Sequence, residues 1–146
     1  AEKFRCRLES MVEMTGNLYY LPPVFSYPDM EEIDEKTWQA FLRKIIRETD
    51  YEVIILDLTE QVRGLFSLLE LCDEIYSCIP KDGLAMAKME QYKKLLSHIK
   101  KEDLLSKTKE CKIPVFKEFS YQAALYTHTE LADYVQKLME KEEEDE

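Results

Sequence analysis

Tyr51-Glu52-Val53-Ile54-Ile55-Leu56-Asp57 is the stretch that decides the fold. Four consecutive aliphatic residues, Val53 to Leu56, run straight into an acid. An unbroken apolar run bounded by polar residues is the pattern of a strand covered on both faces, the habit of parallel sheets in α/β proteins. A buried strand is therefore expected over 52–57, with Asp57 emerging at its carboxyl end. Open α/β sheets bind their ligands at that edge, and nucleotide hydrolases place an acid there to hold Mg²⁺. Asp57 is thus the candidate metal ligand, here through the ion's water shell. The competing reading is that it caps the turn that follows.

On the amino-terminal side of this stretch, Trp38, Phe41, Leu42, Ile45 and Ile46 fall on one helical stripe. A helix is expected over 35–48, with Asp34 as its N-cap. Residues 24–33 read as a loop, Leu18 to Leu21 as a short strand closed by Pro22-Pro23, and 2–14 as a weakly amphipathic helix ended by Gly16-Asn17. On the carboxyl side, 64–72 reads as a short buried helix and Glu74 to Ile79 as a strand ended by Pro80. Lys81-Asp82-Gly83 reads as a turn, with a ligand contact as its alternative, and leads to a helix over about 84–99 that points Tyr92, Leu95, Leu96 and Ile99 inward. The polar stretch 101–110 reads as a second helix or a loop, Ile113 to Phe116 as a last strand, and Thr129 as the cap of a final helix. Strands alternating with helices imply a parallel, Rossmann-like sheet covered by helices on both faces. The expected organisation is one α/β domain over 1–139 and an acidic tail over 140–146.

The chain of 146 residues is long enough to bury a core, and its nine Tyr, six Phe and one Trp exclude a disordered chain. A formal charge of −10 argues against a nucleic-acid partner, which needs clustered Lys and Arg. Residues 140–146 hold six acids and one Lys, a local charge of −5 that anionic lipid would repel, so no direct membrane anchor is expected. Cys6, Cys72, Cys78 and Cys111 form no CxxC pair, and with His98 and His128 isolated no zinc spacing can be assembled. Reduced, mostly buried thiols in a cytoplasmic protein are the expectation. No G-x-S-x-G elbow and no G-x-G-x-x-G loop is present. The Arg63 side chain reads as a surface ion-pairing group rather than a phosphate contact.

The order and spacing of several pieces resemble the second half of the MinD/ParA family of P-loop ATPases, including its pilus-assembly relatives. The pieces are Asn17-Leu18-Tyr19-Tyr20-Leu21-Pro22, the helix carrying Trp38, and Tyr51 to Asp57 in the place of the Walker B strand. They continue with Leu68 to Pro80 (LLELCDEIYSCIP), Ile113-Pro114 and the helix from Thr129, so that the resemblance spans about 17–140. It implies a nucleotide-binding domain that dimerises around ATP and Mg²⁺, with Asp57 as the Mg²⁺ ligand.

The chain departs from that family in three places. Its three glycines, at 16, 64 and 83, belong to no G-x-x-x-x-G-K-[ST] pattern, so the backbone cradle for the phosphates is absent and ATP and Mg²⁺ are expected only if an N-terminal P-loop segment is present. Leu58-Thr59-Glu60-Gln61 stands where the family has a small residue, Pro and Gly. Leu104 to Lys112 stands where the family has a strand leading to an adenine-reading loop. In the family the P-loop strand lies between the Walker B strand and the next one. A chain without it is expected to carry open strand edges that take up either the missing N-terminal segment or a second copy of the chain. A degenerate, non-catalytic interaction or regulatory module of the same fold is the alternative function.

Overall fold

The structure, a computed structural model, describes residues 2–16, 18–23, 27–59, 62–113 and 129–143. The chain divides into two compact units, one of residues 1–11 and 22–113 and one of residues 12–21 and 114–146.

The larger unit opens with helix α1 (Glu2–Met11), followed after the crossing of the chain by α2 (Tyr27–Glu32) and α3 (Glu35–Glu48). The helix α2 lies within the stretch expected to be a loop. For α3 the sequence expectation holds at both ends. Asp34 Oδ1 accepts from the Thr37 N–H at 2.7 Å, and Thr49 closes the last turn with its N–H on the Ile45 carbonyl. Of the stripe, Leu42 and Ile45 are buried, Trp38 and Phe41 half-buried, and Ile46 57% exposed. Phe4 of α1 meets Phe41 edge-on at 6.2 Å, and Phe41 meets Trp38 at 6.3 Å. An aromatic row therefore joins α1 to α3.

The parallel sheet of this unit consists of β3 (Ile75–Pro80) and β4 (Thr108–Ile113), joined through helices α5 (Gly83–His98) and α6 (Glu102–Ser106). Ile75 pairs with Thr108 and the register runs through to Pro80 opposite Ile113. Parallel strands need a crossover of this kind. Alternation along the strands sends Ser77 and Ile79 of β3, with Thr108 and Glu110 of β4, to the face covered by α5. There Ser77 Oγ contacts Met89 Sδ at 3.7 Å, and Lys93 pairs with Glu110 at 2.6 Å. Leu96 and Leu104 are fully buried and Ile79 and Met89 nearly so. Helix α4 (Leu65–Leu69) packs on α3 and buries Leu68.

Four expectations need correction. Residues 51–59 form no strand, and Val53 and Ile55 are 76% and 80% exposed. A strand is buried by neighbours that complete its ladder, and the described residues offer this segment none. β4 begins at Thr108, inside the stretch read as polar helix or loop. Its polar residues alternate towards α5 and solvent, and pairing with β3 overrides their weak strand propensity. The architecture is therefore mixed α/β, and among the described residues the parallel sheet has two strands rather than a full doubly covered layer. The strand expected over 113–116 lies outside the described residues beyond Ile113. Of the four thiols expected to be mostly buried, Cys6 and Cys78 are exposed, Cys72 is half-buried and Cys111 is buried.

In the smaller unit β1 (Glu13–Thr15) and β2 (Leu18–Tyr20) form an antiparallel hairpin that turns at Gly16, whose φ of 60° only glycine adopts freely. The first of these strands replaces the end of the helix expected over 2–14. Helix α7 (Glu130–Glu143) starts where Thr129 Oγ1 accepts from the Ala132 N–H at 3.3 Å, and it continues into the acidic run as far as Glu143.

Candidate functional site

In an open α/β sheet the place to look is the carboxyl edge of the strands, where helix N-termini converge. β3 leaves the sheet at Pro80, turns through Lys81-Asp82, and enters α5 at Gly83. Asp82 adopts an extended backbone and its Oδ1 accepts from the Ala85 N–H at 2.8 Å. That bond satisfies one of the free amides of the first turn, so Asp82 serves as the helix cap and the turn reading holds. The carboxylate already occupies the ground that an anionic ligand would take.

Asp57 is exposed and follows a segment without regular structure, so the strand meant to deliver it to this edge is not formed. Among the described residues no three His, Cys, Asp or Glu side chains gather in a group able to hold a metal. A single carboxylate is a normal Mg²⁺ contribution only when substrate phosphates supply further ligands. Asp57 gathers no such set of ligands among the described residues.

The charged groups near the sheet work in pairs. Lys93 bridges Glu90 at 3.0 Å and Glu110 at 2.6 Å, and these partners raise its ammonium above the usual lysine range while the Glu110 carboxyl is held below the usual carboxylate range. Lys109 reaches Glu74 at 3.0 Å and lies 5.6 Å from the Tyr76 ring centre. The Tyr76 hydroxyl also donates to Glu74, at 2.6 Å, and the two bonds together lower the Glu74 carboxyl. Lys101 pairs with Glu70, while Lys107 Nζ donates to the carbonyls of Glu70 and Cys72 at 3.2 and 2.9 Å and so closes the carboxyl end of α4. These lysines are occupied in holding the crossover together.

Other candidates separate rather than converge. His98 ends α5 exposed, Arg63 is exposed, and His128 lies outside the described residues. Burial pushes the Cys72 thiol up, away from the thiolate that a nucleophile needs. A depression on α3 is lined by Ala40, Arg43, Ile46 and Arg47, all from one helix, and no acid lines it among the described residues. Arg47 Nε is turned back onto the Arg43 carbonyl at 3.2 Å. No general acid and base face each other in it.

Sequence reading missed one arrangement: Cys78 and Cys111 stand opposite each other in the β3–β4 register. The signal was hidden because Cys111 lies in a polar stretch with no apolar run to mark it as a strand. Among the described residues no helix is long and apolar enough to cross a membrane. No family model, curated protein or solved structure matches the chain.

Proposed function

We propose that this chain is the C-terminal part of a MinD/ParA-like nucleotide-binding domain of a cytoplasmic ATPase, unable to hydrolyse ATP alone because it lacks the P-loop. One observation carries the reading. In a segment with the composition of a central strand, Val53, Ile54 and Ile55 are exposed and Leu56 half-buried, and among the described residues the segment has no ladder partner and β3 pairs only with β4. Such an unpartnered segment is what the reading expects where the strand between the Walker B strand and its successor is absent. The strand at Thr108–Ile113 adds support, because it stands where the family has its late strand.

On this reading a strand and phosphate loop from an N-terminal segment enter between Val53–Leu56 and β3. Completion draws Asp57 to the sheet edge, where it holds Mg²⁺ through water. ATP and Mg²⁺ then belong to the completed domain, and a second copy of the chain is the further partner.

Titration calorimetry provides the test. The chain alone takes up no MgATP; the chain extended through its own upstream reading frame binds it, and Asp57→Ala removes the magnesium dependence. Absence of magnesium-dependent binding by the extended chain would overturn the reading.

A second reading, a non-catalytic interaction module of the same fold, is favoured by Leu58-Thr59-Glu60-Gln61, where no glycine permits close approach to a γ-phosphate. It predicts partner binding indifferent to ATP. A hydrolysis rate lost in Asp57→Ala would exclude it.

A further inference from the structure

Cys78 and Cys111 are lateral neighbours on adjacent parallel strands. Side chains paired in register leave the sheet on the same face. Ser77 and Glu110, the residues before them, face α5, so the two cysteines share the opposite face. Adjacent strands lie about 4.7–4.9 Å apart, inside the Cα separation of about 4.4–6.8 Å that a disulfide spans. Neither cysteine is in a disulfide. Their environments differ: Cys78 is exposed, whereas Cys111 is 3% exposed and its Sγ lies 3.9 Å from the Lys109 carbonyl oxygen. The arrangement sets an accessible sulfur beside a sheltered one. Two-step peroxide chemistry needs one accessible thiol to be oxidised and a second beside it to resolve it.

We propose that Cys78 and Cys111 are a peroxide-responsive dithiol that closes to a disulfide across β3 and β4. In the first step the Cys78 thiolate attacks one oxygen of a hydroperoxide. The S–O bond forms, the O–O bond breaks, and the leaving oxygen takes a proton and departs as water or an alcohol. In the second step Cys111 sulfur attacks the sulfenic sulfur of Cys78. The S–S bond forms, the S–O bond breaks, and hydroxide leaves as water with the Cys111 proton. Two electrons pass from the thiols to the peroxide, and no other reactant is required. The product ties residue 78 to residue 111 and so locks the crossover through α5 and α6. This inference stands apart from the nucleotide reading, because its geometry lies wholly within β3 and β4.

The test uses the full chain and hydrogen peroxide, followed by alkylation, digestion without reductant and peptide mass mapping. The expected result is a peptide pair joined through Cys78 and Cys111, lighter than the two free peptides by two hydrogens. A second measurement uses dimedone, which captures sulfenic acid. Labelling of Cys78 is expected in Cys111→Ser and lost in the wild-type chain, where the disulfide consumes the intermediate. Circular dichroism establishes that the variant is folded, and the wild-type peptide map decides the matter if it is not. A Cys78 that stays unreacted, or that advances to sulfinic acid while Cys111 remains alkylatable, would overturn the proposal. A Cys111 linked instead to Cys72 would do the same.

Discussion

Gly64 shows how a single position constrains the fold. Its φ is 74°, and a Cβ added there would stand 2.5 Å from Glu35 Cγ and 2.7 Å from Glu35 Cβ. Gly16 has a similar φ of 60° but nothing within 4 Å of the same added atom. Both positions disfavour a side chain by backbone strain of about 1–3 kcal/mol, and only Gly64 adds a collision at the start of α4. Urea unfolding is therefore expected to give a larger loss for Gly64→Ala than for Gly16→Ala. Leu96, fully buried against the sheet, gives the packing counterpart: Leu96→Ala is expected to cost about 2–5 kcal/mol in the same measurement. Trp38 is a position where the fold carries a penalty, since its Nε1–H is buried and finds no acceptor among the described residues. The burial of Leu96 was expected from its helical stripe, but neither the collision at Gly64 nor the orphaned Trp38 donor is legible from residue type. A glycine announces freedom, but not the direction from which a neighbour will press.

Among the elements, α3 was readable to the residue because its N-cap, apolar period and closing Thr49 are all local signals. β4 was not. Its sequence, Thr108 to Ile113, sets Lys109, Glu110 and Lys112 among Thr, Cys and Ile with no apolar run, and its strand character comes from the ladder with β3. Lys93 and Glu110 show what binds that ladder to α5. The Glu110 carboxyl is depressed in the folded chain, so its contribution is present above the ordinary glutamate value and disappears as acid takes the pH down through its lowered one. The Lys93 ammonium is raised, so its contribution is present below the ordinary lysine value and disappears as alkali carries the pH through its raised one. Glu110→Gln is therefore expected to unfold at lower urea than the wild type near neutrality. The difference should shrink to nothing in acid below the lowered carboxyl. A difference that persisted there would assign the effect to packing instead of charge.

For the molecule as a whole, the segment Val53–Leu56 states the problem that the fold leaves open. The sequence marks it as the centre of a sheet, and the structure leaves it exposed, because burial of a strand depends on partners that no local pattern can supply. The mixing of helices with strands, and the helix that follows β3, were legible in advance; the strand that closes the crossover, the size of the sheet and the placement of Asp57 were not. Val53→Asp and Ile55→Glu are expected to change the stability of the chain alone by no more than about 0.5 kcal/mol, as befits exposed positions. On the proposed reading, the same changes abolish MgATP uptake by a chain carrying an upstream segment, because completion of the sheet would bury both charges. Hydrogen exchange at the backbone amides of Val53 to Leu56 tests the central claim most directly. Those amides should exchange rapidly in the chain alone and become strongly protected once the upstream segment is supplied. Exchange that stayed equally fast in both would contradict the account.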